Sequence, residues 1–228
     1  NSSWPYFVDK YLLLKQKNIN PSFLYVLHKK ALSKIEELIW IFKNIGIEDL
    51  SINPIYKVGN AEHYCNDLLI SINEYSDFLD KLVLLYYDFK KYIKINPIED
   101  WIKIKKSKNV FQKQINLPCS YGYGCGTNFM GVDEKLDVYP CGKFADMKIF
   151  KLGNLVNNNI DELKINLLKT KLYERQMKLK DTECKGCQSI EYCHGGCAAD
   201  AYAYYYDAFR KTIWCDANKS IHKRLSWV

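Results

Sequence analysis

Apolar positions in the first hundred residues recur with two alternating periods. Phe7, Tyr11 and Leu14 share one helical face, and Asn18 to Pro21 stop that helix. Phe23–Leu27 is a short apolar run compatible with a strand. Ile35, Leu38, Ile39 and Phe42 fall at i, i+3, i+4 and i+7, the spacing of one side of a helix, and Gly46 suits its C-cap. Residues 50–55 read as a second strand, ended by Pro54. Ser71 and Glu74 form a capping box ahead of Tyr75, Phe78, Leu79, Leu82, Tyr86 and Phe89, again at helical spacing. The order helix, strand, helix, strand, helix predicts βαβ crossovers and a parallel sheet, hence an α/β fold. Two strands cannot make a stable sheet alone. The first part therefore reads as a partial α/β barrel, or as a sheet whose other strands lie outside this sequence.

The pattern changes near residue 109. Residues 94–118 read as a linker, Lys-rich with Pro97 and Pro118 near its ends. Beyond it come loops rich in Gly and Cys. One helix is expected from 160 to about 177 with Asn159 as its cap, and another over 198–209. Tyr202, Tyr205, Tyr206 and Phe209 would share a face of the latter, as packing residues. Composition agrees with a globular chain, 48% hydrophobic and 26% charged over 228 residues. No apolar run is long enough to cross a bilayer. Residues 1–30 lack the basic and apolar segments of a secretory signal, so a cytoplasmic protein without a membrane partner is expected. The formal charge of +7 comes from scattered lysines such as Lys29, Lys30, Lys103 and Lys105. They read as a solvated basic surface, and no nucleic-acid module accompanies them.

Candidate chemistry lies in the cysteines. Of nine, only Cys65 is in the first part, where it reads as a structural thiol. The others are Cys119, Cys125, Cys141, Cys184, Cys187, Cys193, Cys197 and Cys215. Clustered cysteines without a secretory signal point to metal ligands before disulfides. The run from Cys184 to Cys197 is C-x2-C-x5-C-x3-C, with Gly186, Gly195 and Gly196 permitting tight backbone. In two-cluster ferredoxins the fourth cysteine of such a run serves the other cluster. The same division here puts Cys184, Cys187, Cys193 and Cys215 on one cluster, and Cys119, Cys125, Cys141 and Cys197 on another. Each would be [4Fe–4S]. Zinc is the alternative, but a zinc ribbon pairs two C-x2-C knuckles and only one occurs here. This count leaves His194 without a ligand's role, as a packing residue beside the site. His28 reads as a surface histidine.

Residues 119–215 resemble the SPASM domain, the C-terminal extension of many radical S-adenosylmethionine (SAM) enzymes. Four motifs carry the resemblance: Val138-Tyr139-Pro140-Cys141-Gly142, Leu152-Gly153-Asn154-Leu155, Cys184-Lys185-Gly186-Cys187, and Tyr192-Cys193-His194-Gly195-Gly196-Cys197. Cys215 stands where the closing cysteine is expected. Leu136 departs from the family, which often has glycine there. The first hundred residues are similar, less closely, to the second half of the radical SAM barrel, through Phe23 to Lys30 and Pro54 through Gly59-Asn60-Ala61. The domains so implied are 1–93 as the late part of the barrel, 94–118 as linker and 119–228 as a SPASM domain of short hairpins, loops and helices.

The resemblance implies an oxidoreductase. In the full enzyme a reduced cluster cleaves S-adenosylmethionine, and the radical formed takes hydrogen from a peptide or small protein. The C-x3-C-x2-C motif for that third [4Fe–4S] cluster is absent from this chain and is expected before residue 1. The chain alone should therefore be inactive. An electron donor such as ferredoxin or flavodoxin is implied as partner. The cysteine spacing is like that of anaerobic sulfatase-maturating enzymes, which form formylglycine with the help of an aspartate directly after the cysteine matching Cys141. Here that residue is Gly142, and the next acid is Asp146. This favours a thioether or carbon–carbon crosslink in a ribosomally made peptide. The remaining alternative is a ferredoxin-like electron-transfer or scaffold protein serving a separate enzyme.

Overall fold

The computed structural model describes residues 3–64, 67–106, 125–127, 129–145 and 147–225. Its first part alternates helices and strands. Helix α1 (Trp4–Gln16) has Pro5 in its first turn, where a missing N–H costs nothing. Strand β1 (Phe23–Leu27), helix α2 (Ile35–Asn44) and strand β2 (Asp49–Pro54) follow. Then come α3 (Asn60–Tyr64), α4 (Ile72–Phe89), β3 (Lys94–Asn96) and α5 (Ile98–Lys106). The strands form a parallel sheet in the order β1-β2-β3, with Phe23 opposite Leu50 and Leu50 opposite Ile95. Parallel neighbours need long crossovers, and α2 and the α3–α4 pair supply them.

The sheet is one-sided. Leu27, Leu50, Ile52 and Ile95 are buried with Ile35 and Ile39 of α2 and Leu79 and Leu82 of α4. Each such side chain contributes about 1.5–3 kcal/mol by leaving water. On β1 the alternate residues Leu24 and Val26 stay exposed. The Ser71 hydroxyl accepts from the Glu74 amide, and the Glu74 carboxylate accepts from the Ser71 amide, so the capping box is formed in full.

Two expectations change here. Residues 94–106, read as linker, form β3 and α5. Ile98, Trp101, Ile102 and Ile104 of α5 are buried, while Lys103, Lys105 and Lys106 follow the helix into its last turn. The sheet thereby gains a third strand. The rest of the expected linker, 107–118, lies outside the described residues, as do Cys65, Cys119 and Asp146.

The second part begins with a small antiparallel sheet, β4 (Gly131–Val132), β5 (Asp137–Tyr139) and β6 (Gly153–Asn154). Asp133 fixes the β4–β5 turn by accepting from the amides of Lys135 and Asp137, both at 2.9 Å. Leu136 in that turn has φ 63°, the left-handed conformation that glycine would take most easily. Helix α6 (Ile160–Lys169) starts on a complete capping box from Asn159 and Glu162. The single helix expected to about 177 is instead broken. Lys171 turns left-handed at φ 57°, and a new helix, α7 (Arg175–Asp181), sets off after one 3-10 turn. Short α8 (Ile190–Cys193) and α9 (Ala198–Tyr205) follow. Tyr206, also left-handed, ends α9, so Phe209 is not on that helix.

The chain closes with α10 (Cys215–Arg224), which packs on α4. Trp214, Ala217, Ile221 and Leu225 are buried in the same core as Tyr75, Phe78 and Leu82. The Ser220 hydroxyl donates to Asp80 at 3.0 Å, and Lys105 donates to the Leu225 carbonyl at 2.7 Å. The C-terminal segment is thus part of the first core. Among the described residues no helix is long and apolar enough to cross a membrane.

Candidate metal centre

The seven described cysteines fall into two groups. Cys125, Cys141 and Cys197 line one cavity of about 420 Å³, together with Met130, Phe144 and Ala198. Each arrives from a different element. Cys125 precedes Gly126, whose left-handed turn lies so close on Leu172 that a Cβ there would clash. Cys141 follows β5 through Pro140 and opens a 3-10 turn over Gly142–Phe144. Cys197 is the N-cap residue of α9. Cys119 is outside the described residues.

Cys184, Cys187, Cys193 and Cys215 make the second group. The Cys187 amide donates to the Cys184 carbonyl at 3.0 Å, closing the C-x2-C turn round Gly186. Cys193 ends α8 and Cys215 starts α10. Burial raises the Cys184 thiol above its ordinary value, with added repulsion from Cys215 and Cys187. Cys193 is pushed up to about 12, mainly by burial, and then by Cys184, Cys215 and Cys187. Cys197 is likewise pushed up to about 12 by burial, with Asp200 adding to it and Lys143 opposing. Thiolates held this way need a cationic group to stay charged, as metal ligands do.

Among the described residues no three His, Cys, Asp or Glu side chains converge as around a single ion. One zinc ion would draw four sulfurs to about 2.3 Å from its centre. Three thiols spread round a cavity of about 420 Å³ leave room for a group larger than a single ion.

Arg175 holds the two groups together. Only 4% exposed, it donates to the carbonyls of Ala208, Gly196, Gly195 and Arg210 at 2.6–2.9 Å. Gly195 and Gly196 are left-handed, and a Cβ on either would run into Leu179 or Thr212. His194 beside them is buried, with its backbone also left-handed. Nothing in the sequence motifs marks Arg175. A signal was present, since only Arg175, Arg210 and Arg224 interrupt a chain that otherwise uses lysine. A planar fork with five donors suits this many carbonyls, and an ammonium does not.

A second cavity, about 480 Å³, lies between the sheet and the cysteine-rich part. Ser51 and Asn53 of β2 and Asn96 of β3 border it on one side, and Cys197, Asp200 and Trp214 on the other. Lys143 reaches into it. Its ammonium lies 3.2 Å from Asp200 and 3.6 Å from the centre of the Tyr56 ring. Burial works against the Lys143 charge, but the Cys197 sulfur, Asp200 and Tyr56 outweigh it and raise its pKa. Tyr56 is pushed up to about 12 by burial. Lys143, Asp200 and Tyr56 were not legible as a group in the sequence, because they come from three separate segments.

No protein-family model matches the chain, and no curated protein matches it. Solved structures do. The chain superposes on the anaerobic sulfatase-maturating enzyme anSMEcpe with bound AdoMet, with a TM-score of 0.77 at 18% identity. That match covers 97% of this chain and 59% of the other. The chain has the fold of the part of that enzyme it covers. Structures of anSMEcpe with AdoMet and the peptides Kp18Cys and Cp18Cys also match, at TM-scores of 0.70 and 0.71 and identities of 17% and 18%. Each of these two matches covers 97% of this chain and 60% of that chain. The α/β class and the small parallel sheet agree with the sequence reading.

Proposed function

We propose that this chain is the C-terminal portion of a radical SAM oxidoreductase that modifies a ribosomally made peptide. In this reading it holds two auxiliary [4Fe–4S] clusters, one on Cys119, Cys125, Cys141 and Cys197 and one on Cys184, Cys187, Cys193 and Cys215. The observation that carries the reading is the gathering of Cys125, Cys141 and Cys197 round one cavity, apart from the mutually interacting Cys184, Cys187, Cys193 and Cys215. The likeness to anSMEcpe supports it at the level of fold.

When bound, such clusters supply one-electron storage at a potential set by their surroundings. The chain's own residues give that chemistry its frame. Arg175 fixes the loop between the thiol groups, and Gly196 and Cys197 of that loop line the 480 Å³ cavity. A peptide occupying this cavity would meet Asn53 and Asn96 as hydrogen-bonding groups and Trp214 as an apolar surface. The full enzyme would draw on AdoMet, a third cluster and a reduced ferredoxin or flavodoxin.

The test is metal analysis after anaerobic reconstitution. About eight irons and eight sulfides per chain are expected, falling by about four in Cys197→Ala or in Cys184→Ala. Stoichiometric zinc with negligible iron overturns the reading.

Formylglycine formation is a second reading, favoured by the likeness to anSMEcpe with bound peptides. Against it stands Gly142, which offers no proton acceptor after Cys141. A Cβ at Gly142 would meet nothing within 4 Å, so space does not dictate the glycine. An aldehyde-trapping hydrazide separates the two outcomes. A crosslinked peptide loses two hydrogens and does not react, whereas formylglycine is captured.

A further inference from the structure

Lys143, Gly196 and Cys197 line both the 420 Å³ cavity and the 480 Å³ cavity, so they form the wall between them. Lys143 stands two residues after Cys141 in a 3-10 turn. Asp200 stands three residues after Cys197, in the first turn of α9, and is only 5% exposed. The 3.2 Å ion pair therefore ties together the loops of two thiols from the same group. Tyr56, from the loop after β2, lays its ring against the ammonium at 3.6 Å and anchors the pair to the sheet. A buried carboxylate and a half-buried lysine act on neighbouring groups through a dielectric lower than that of water, where a unit charge has more effect.

We propose that the Lys143–Asp200 pair sets the reduction potential of the group bound at Cys125, Cys141 and Cys197, with Lys143 raising it and Asp200 lowering it. The inference rests on the reading of those cysteines as cluster ligands. A cation beside the cluster stabilises the state richer by one electron, and an anion destabilises it. Lys143 and Asp200 are positioning residues in this proposal, since neither ligates iron. Together they leave the cluster nearly neutral surroundings on the side facing the 480 Å³ cavity.

The experiment is a redox titration of the anaerobically reconstituted chain with dithionite, followed by EPR. The relevant signal is the one lost in Cys197→Ala. In Lys143→Met its reduced-to-oxidised ratio at a fixed potential should fall at least tenfold, about 59 mV for one electron. Asp200→Asn should move it the other way. The double variant should lie between them, and Lys143→Arg, which keeps the charge, should stay near wild type. The signal lost in Cys184→Ala should not move. If Lys143→Met fails to take up iron, Asp200→Asn carries the test. Unchanged potentials in both single variants, with wild-type iron content, overturn the proposal. Absence of iron from the wild-type chain overturns the cluster reading instead.

Discussion

Single residues decide how the cysteine-rich part is held. Removing Arg175 takes the donor from the carbonyls of Gly196, Ala208 and Arg210, while the Gly195 carbonyl keeps the Thr212 amide at 2.8 Å. Unmet buried acceptors cost about 1–3 kcal/mol each, so Arg175→Ala should cost about 3 kcal/mol or more. In a chain of this size that is a fall of roughly 6–12 °C in the apparent Tm, read by circular dichroism. Arg175→Lys should recover less than half, because three donors on a point charge cannot reproduce the fork. A Tm within about 2 °C of wild type in the alanine variant would contradict the account. Leu136 is a milder case. Its left-handed φ of 63° costs an L-residue about 1 kcal/mol, and its side chain is 44% exposed. Leu136→Gly should therefore hold or raise the urea midpoint, and Leu136→Val should lower it.

At the scale of elements, the amphipathic helices and the first two strands were readable because one-sided burial imposes its period on the sequence. Strand β3 was not. Ile95 is its one apolar residue, and Pro97 follows directly. Helix α5 was hidden because its lysines resemble a linker's composition while Ile98, Trp101 and Ile102 carry the period. The break at Lys171 gives no warning, since lysine carries no turn signal. The cysteines were legible as candidates because the residue type itself points to metal chemistry, whereas Lys143 and Asp200 are ordinary types that pair across 57 residues. The capping box of α4 also makes a pH prediction. Its Glu74 carboxylate accepts from the Ser71 amide and pairs with Lys29, and its pKa is lowered from 4.5 to about 2. A depressed carboxylate contributes stability that is present above pH 4.5 and lost as pH falls towards 2. Urea midpoints measured over that window should fall less steeply in Glu74→Gln than in wild type. Parallel slopes would rule out this contribution.

For the whole molecule, the main consequence of α10 is that the two sequence regions share one core. Cys193 and Trp214 are buried with residues of α4, and Cys215 starts the helix that packs there. A group bound to the native thiols stabilises the native state by mass action. Reconstitution should therefore raise one cooperative transition, seen at the same temperature by far-ultraviolet circular dichroism and by tryptophan fluorescence. Two separated transitions, with the first unaffected by iron, would show that the parts unfold independently. Incubated alone with dithionite and S-adenosylmethionine, the chain should release no 5′-deoxyadenosine above background, because no C-x3-C-x2-C motif occurs in its 228 residues. Steady release would require another site for that cofactor.

Lys143, Gly196 and Cys197 each border two chambers, one at the sheet and one at the cysteines. A peptide filling the chamber at the sheet would lie against Cys197, which also borders the other chamber. With the proposed cluster bound at Cys197, that site would work as a built-in gauge of occupancy. Candidate peptides can be ranked by how far each perturbs the EPR line shape, with no label attached and no turnover needed.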